Sequence, residues 1–587
     1  METADPPKGR ECPQKRSPFD MIMNQIRRKT SFAERRARPS VGRLFRPSEN
    51  ADGKEGGAPE TGGPGGQGGD KSTGTVPGGS DPADTEASSE AGWGRVKQFV
   101  QKLGKKADSH ALSLGHCDLT ATDVLELATL LPFLSLLEEI DLSWNDLIGG
   151  SLRALTFHLQ HVSKLRILRL CSCRLTAEDL TALGEGLGYI PLLEVVDLSW
   201  NAGLGGNLQC LARSFQPGNR VKELHLVECQ LTAADAQALG GALCVLPGLE
   251  LLDVSANGPL VGGLGELAPQ LRNLPQLRVL RLQACGLQQD ALNALGKAFE
   301  FLPALQELDL SCNKAAGGGF VQAGPHLAQL THLRSLDLHL CGLTEDDVRA
   351  LVQVIPSLSD LTMLDLSSNK KIGGVVHLLF PSLPLSKLKR LPLNNCCLTD
   401  ESYRSLASAM QRLSQLESLS LSWNKCVGGH LGLLLEPLQP GCPLQQLQLS
   451  SCGLTTEDLL HLASASKRGV LAHLRRLHLM YNDSAGGQGW ARLFQEAGAL
   501  RALVELDVSL RPSGRAPASP WLPALMGALP RLPALTRLSL QRWVLTPRER
   551  DALDAFGKDT KRRLHLECDA HEAAAHKRAG VAEQQDA

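Results

Sequence analysis

From Leu112 to Leu545 the chain repeats one phrase, L-x-L-x-x-(C/N)-x-L, closed alternately by cysteine and asparagine. The closing residues are Cys117, Asn145, Cys173, Asn201, Cys229, Asn257, Cys285, Asn313, Cys341, Asn369, Cys396, Asn424, Cys452 and Asn482. Successive steps are 28 residues nine times, then 27, 28, 28 and 30. A constant period over most of 587 residues calls for one solenoid, each unit burying its apolar face on the next. Leu-x-Leu reads as a short strand with one face buried. The Asn after it can hydrogen-bond neighbouring turns, and stacked copies form a ladder. Cys fills the same niche as a small apolar side chain with a weak donor. The residues that follow return as a helix.

The two kinds of repeat enter that helix differently. After Cys comes Leu-Thr-x-x-Asp, as in Thr120/Asp123, Thr176/Asp179, Thr232/Asp235, Thr344/Asp347 and Thr455/Asp458. Thr at an N-cap with an acid three residues on is close to a capping box. Two copies depart from it: Gln288 stands for the Thr and Ser402 for the acid. After Asn comes a Gly-Gly pair, at 149–150, 205–206, 262–263, 317–318, 373–374, 428–429 and 486–487. It reads as a tight loop requiring positive φ or close backbone approach. No G-x-x-x-x-G-K-S/T phosphate loop occurs. The unit is therefore a pair of repeats, about 56 residues long.

Residues 1–90 read as a disordered tail, with twelve Lys/Arg against six Asp/Glu in the first fifty and two against eight in 51–92. Within the tail, Phe19, Met21, Ile22, Met23 and Ile26 precede a basic cluster. Ser31 follows Arg28-Lys29-Thr30 and is a candidate phosphorylation site. Trp93, Val96, Phe99, Val100 and Leu103 fall at helical spacing and predict a capping helix over 91–111. The solenoid is expected over 112–545, as about sixteen repeats with the last two degenerate. A Pro-rich insertion spans 511–533, and Trp543 stands where Cys or Asn would be. A C-terminal cap at 546–569 and a tail at 570–587 complete the chain.

The residues that carry the periodicity, LRILRLCSCRLTAEDL (165–180) and LEVVDLSWNAGLGG (193–206) among them, resemble the leucine-rich repeats of the ribonuclease-inhibitor type. The resemblance implies an α/β solenoid, a right-handed horseshoe with a parallel sheet on the concave face and helices on the convex face. Strands about 4.8 Å apart against helices about 8–10 Å apart bend such a stack without further help. Members of the family include ribonuclease inhibitors and Ran-GTPase activators.

The chemistry of enzymes is hard to find. There is no nucleophile elbow, metalloprotease or kinase signature. The ladder cysteines are expected to be buried, inert, and about two strands apart, roughly 10 Å, which is beyond disulfide reach. His565, Cys568 and His571 form an H-x-x-C-x-x-H cluster without a fourth ligand nearby. Lys+Arg 61 against Asp+Glu 62 gives no electrostatic case for nucleic acid. No apolar run of 18 residues suggests a membrane span, and the N-terminus lacks a signal-peptide pattern. Unpaired cysteines fit a reducing, intracellular and cytoplasmic setting.

Function is expected on the sheet, where two columns stand out. The residue between the two strand leucines runs Asp141, Arg169, Asp197, His225, Asp253, Arg281 and Asp309, alternating acid and base as though self-neutralised. Asp337 and Asp365 follow, so Asp309, Asp337 and Asp365 form an acidic step. It is either a site for a basic partner or a charge dispersed by solvent and by Lys314, Lys370 and Lys371. The residue before each ladder Asn runs Trp144, Trp200, Ala256, Cys312, Ser368, Trp423 and Tyr481. These aromatics either pack on neighbouring loops or grip a partner at both ends of the horseshoe. The expected function is a non-enzymatic, monomeric scaffold or adaptor without cofactor, binding a protein partner through the concave face. Direct regulation of an enzyme is the alternative, although a net charge of −1 is poor for an inhibitor of a basic enzyme.

Overall fold

The computed structural model describes residues 110–559 and 564–569, all within one unit, Asp108–Ala587. The tail 1–90 with Ser31, all but the last two residues of the expected helix at 91–111, His571 and the tail 570–587 lie outside the described residues. The α/β leucine-rich-repeat solenoid is what the described chain forms. Seventeen three-residue strands, from Ala111–Ser113 to His565–Glu567, make one sheet in which each pairs in parallel with the next. The register follows the sequence period. Ile140 lies opposite Leu168, 28 residues on, and the longer steps of the C-terminal repeats lengthen only the return path, as at Leu506 opposite Leu538.

From the first strand to Arg537–Ser539 the central residue of each sheet strand is buried in the core and the outer two flank the open face, as in Glu139-Ile140-Asp141, where only Ile140 is fully buried. The return segments cover the other side. Because helices need about twice the lateral spacing of strands, the sheet takes the inner, concave side.

The helices of the Cys repeats are regular. Ala177–Leu187 begins at Thr176 (φ −102°, ψ 170°), whose hydroxyl accepts the Asp179 N–H while Asp179 accepts the Thr176 N–H. Leu180 and Leu183 then bury one face. The Asn repeats differ from the expected uniform return. In some their helices shrink to Gln209–Ala212 or Leu264–Leu267, or to 3-10 turns at Val376–Leu378 and Phe380–Ser382, while Phe320–Leu327 and Gly487–Glu496 stay regular, and none of these has a side-chain N-cap. The Gly-Gly pair lies at or just ahead of the N-cap, which is Ser151, Leu208, Gly263 or His430 in four of these repeats.

Both glycines are required, for separate reasons. A Cβ on Gly149 would stand 2.1 Å from the Arg174 carbonyl oxygen of the next repeat, whereas Gly150 has open space but φ +82°. At the C-terminal end the sheet runs on through the segment expected to cap it. Pro547–Asp559 is a helix, and His565–Glu567 pairs with Arg537–Ser539. Trp543 takes the ladder place. Its indole N–H donates to the Val508 carbonyl at 2.8 Å, the bond an Asn amide makes elsewhere.

Candidate functional site

Two fasteners hold the repeats in register, and they set which residues are free to act. At each step from a Cys repeat to an Asn repeat, the Asn amide spans the junction. Asn201 accepts the N–H groups of Cys173 (2.9 Å) and Leu175 (3.1 Å) and donates to the carbonyls of Leu170 and Leu198 (2.8 Å each). The seven ladder asparagines are at most 1% exposed. At the step from an Asn repeat to a Cys repeat the capping-box acid takes over. Asp179, 2% exposed, accepts from Gly150 N–H (2.6 Å) and Leu152 N–H (2.9 Å) as well as from its own helix start. Asp235, Asp347 and Asp458 clamp Gly206, Gly318 and Gly429 in the same way. Two junctions lack this clamp. Ser402 can only donate to the Gly373 carbonyl, and in the copy opened by Gln288 the acid is absent too, replaced by Ala291.

The ladder cysteines donate across the same Asn-to-Cys step, Cys173 to the Leu142 carbonyl at 3.3 Å. Six of the seven are fully buried. Cys117, in the first strand's repeat, is half-buried. Burial pushes the thiols of Cys173, Cys229, Cys285, Cys396 and Cys452 up to about 12, which keeps them protonated and unreactive. Among the described residues no disulfide and no cluster of three metal-ligating side chains is present.

The acid–base column on the sheet neutralises itself only in part, through Arg281 and Asp253. Each Asp of the column turns a carboxylate oxygen onto the backbone N–H two residues on, Asp141 onto Ser143 (3.0 Å) and Asp309 onto Ser311 (2.9 Å). The arginines find their main partners in the neighbouring column, two residues earlier on each strand. Arg169 pairs with Glu139, and Arg281 with Glu307 at 2.8 Å, reaching Asp253 only at 3.5 Å.

Asp309, Asp337 and Asp365 lie directly opposite one another on three adjacent strands, and no ion pair to any of them is formed among the described residues, Lys314, Lys370 and Lys371 included. Burial pushes the Asp337 carboxyl up to about 7, against the lowering effect of the His339 N–H, and the charges of Asp365, Asp309 and Glu307 add to the rise. Burial raises Asp365 as well. At neutral pH the step therefore carries less than three negative charges, and a cation placed on it would draw out the missing one.

The aromatic column sits where each strand ends. Every residue in it adopts the left-handed conformation, from Trp144 (φ 63°) and Trp200 (φ 64°) to Trp423 and Tyr481 (both φ 65°). That conformation costs an L-residue about 1–2 kcal/mol. Ala256, Cys312 and Ser368 meet the same requirement with small side chains. Trp144, Trp200 and Trp423 are 46%, 53% and 56% exposed, while Tyr481 is half-buried. They are arranged as two groups. Trp144 stacks on His116 (5.3 Å, 9°) and leans toward Trp200 (6.4 Å), and Trp423 meets Tyr481 edge-on (6.2 Å). Eight strand steps, about 38 Å, separate Trp200 from Trp423.

With this architecture in view, comparison with known proteins is direct. Pig ribonuclease inhibitor (Sus scrofa) is 32% identical over 363 residues, covering 60% of this chain and 79% of the inhibitor. The chain belongs to the ribonuclease-inhibitor family of leucine-rich-repeat proteins. The mouse ribonuclease inhibitor (Mus musculus) is 28% identical over 436 residues, 72% of this chain and 93% of that protein. Human NACHT, LRR and PYD domains-containing protein 12 is 33% identical over 247 residues, which are only 23% of its length. The family model for the PRAME C-terminal domain matches residues 252–438. No helix among the described residues is long and apolar enough to cross a membrane.

Proposed function

We propose that this leucine-rich-repeat protein is a non-enzymatic protein-binding scaffold that holds a partner across its concave face. The observation that carries the reading is the Trp144–Trp200 pair with its counterpart Trp423–Tyr481. Tryptophan is placed in a strained conformation that small residues fill equally well two repeats away, and half of each ring is left in water. Packing needs neither the strain nor the exposure. A partner that buries the rings recovers roughly 1.5–3 kcal/mol for each large apolar side chain. The small residues between the two groups leave room for its body, and the acidic step lies on the strands in that gap. The SWN…GG phrases (143–150, 199–206, 422–429) and ELDVSLRPS (505–513) also resemble leucine-rich repeat-containing protein 31.

The test is affinity capture from cell lysate with wild type and the Trp144→Ala/Trp200→Ala double variant. Loss of the partners captured by wild type is the expected result. A folded double variant that captures the same proteins would end this reading. The relatives' names favour a second reading, direct inhibition of a ribonuclease, with a basic enzyme seated on Asp309, Asp337 and Asp365. A ribonuclease assay beside the capture separates the two, and the near-neutral chain is expected to leave the enzyme active.

A further inference from the structure

The edge of the sheet where the strands end carries a second pattern, in the residue just after each ladder position. Lys314, Lys370 and Lys425 occupy that place in three successive Asn repeats. All three are exposed, and none takes part in an ion pair among the described residues. Their strands, Glu307–Asp309, Met363–Asp365 and Ser418–Ser420, are the eighth, tenth and twelfth of the sheet. The lysines therefore stand in a row at about 9.6 Å intervals, two strand spacings each.

Acids at the neighbouring helix starts do not answer them. Glu345 pairs with Arg349 (3.6 Å), Glu401 with His377 (3.5 Å) and Asp400 with His430 (3.6 Å). The residues one before the ladder in the first two of these repeats are Cys312 and Ser368, so the floor beside the row is low. In the third it is Trp423, which rises at its end.

A ligand for this row needs negative charges on one face at the same interval. A β-strand rises about 3.3 Å per residue, so 9.6 Å is three residues, and side chains three apart point to opposite faces. A polyproline II helix has three residues per turn and rises about 3.1 Å each, so acids at every third residue share one face about 9.3 Å apart. Such segments also dock on exposed aromatics.

We propose that Lys314, Lys370 and Lys425, with Trp423 at the end of the row, bind an acidic proline-rich segment of a partner in polyproline II conformation, one carboxylate on each lysine. The proposal deepens the scaffold reading and shares with it only Trp423.

The experiment uses the full chain and two fluorescent twelve-residue peptides, (Glu-Pro-Pro)4 and one of the same composition with its four glutamates adjacent. The expected result is saturable binding of the periodic peptide. Affinity should fall about tenfold for the clustered peptide, and about tenfold for the periodic peptide against Lys314→Ala/Lys370→Ala/Lys425→Ala. These exposed side chains are not part of the core, and an unchanged melting temperature shows that the variant is folded. Trp144→Ala/Trp200→Ala should bind the periodic peptide as wild type does, whatever its effect on partner capture, so the two readings fail separately. Equal binding of both peptides, or no loss in the lysine variant, overturns the proposal. So does tighter binding of a single-stranded oligonucleotide of equal charge, which would assign the row to a phosphate backbone.

Discussion

Replacing Asp179 by alanine should cost far more than the same change at Asp123, although both complete the same Thr-x-x-Asp box. Among the described residues Asp123 accepts only from its own helix start, Thr120 N–H at 2.8 Å and Thr120 hydroxyl at 2.7 Å. Its loss is that of one capping partner, about 1 kcal/mol. Asp179 makes those two bonds and also holds Gly150 and Leu152 of the preceding repeat. Leu152 is 1% exposed, so alanine at 179 strands a buried N–H, which costs about 1–3 kcal/mol, and removes a charge-assisted bond from Gly150. The expected loss is about 3 kcal/mol, some 2 kcal/mol beyond Asp123→Ala. A gap of that size is about thirtyfold in an opening equilibrium. Urea unfolding measures the global difference, and amide hydrogen exchange at Gly150 and Leu152 reports the junction itself. Losses equal to within about 0.5 kcal/mol, with exchange at Gly150 and Leu152 unchanged, would show that the acid is a helix cap and nothing more.

Gly149→Ala should destabilise by about 2–3 kcal/mol, because its Cβ meets the Arg174 carbonyl. Gly150→Ala, strained only by φ +82°, should cost about 1 kcal/mol in the same thermal melt. Asp337 makes the protein less stable as pH rises. Its folded value of about 7 lies above the unfolded value near 3.9, so its ionisation penalty is absent at acid pH, grows between those values and is complete above pH 7. Asp337→Asn should therefore gain on wild type between pH 4 and 7 and keep a constant lead beyond, as read from urea midpoints across that range.

The fold is legible in this sequence because its rules are local. A Leu-x-Leu strand, a Thr cap and an Asn three residues past the strand each declare themselves within a few positions, and repetition confirms them. What the sequence hides is pairing across repeats. The Gly-Gly pair and the Thr-x-x-Asp box are both plain to read, yet nothing local says that Asp179 belongs as much to Gly150, 29 residues away, as to Thr176. The charge column misleads for a related reason. Asp141 and Arg169 are opposite in register, but a carboxylate so close to the Ser143 N–H is already engaged, and a long Arg side chain reaches past it to Glu139. The aromatic column is visible as composition. That its residues are left-handed, so that tryptophan is a costly choice there, needs the backbone.

The alternation of fasteners has a consequence for how such a chain can change length. An Asn repeat carries the amide that grips the repeat before it and the glycines gripped by the repeat after it. A Cys repeat carries the complementary halves. Removing 28 residues would bring two like repeats together, leaving one junction with two of the same fitting and none of the other. Removing 56 rejoins unlike ends. Gene duplication, deletion or design should therefore move this solenoid in steps of two repeats. The junction after Asn257, where Ala291 has already replaced the acid, is the natural place to cut.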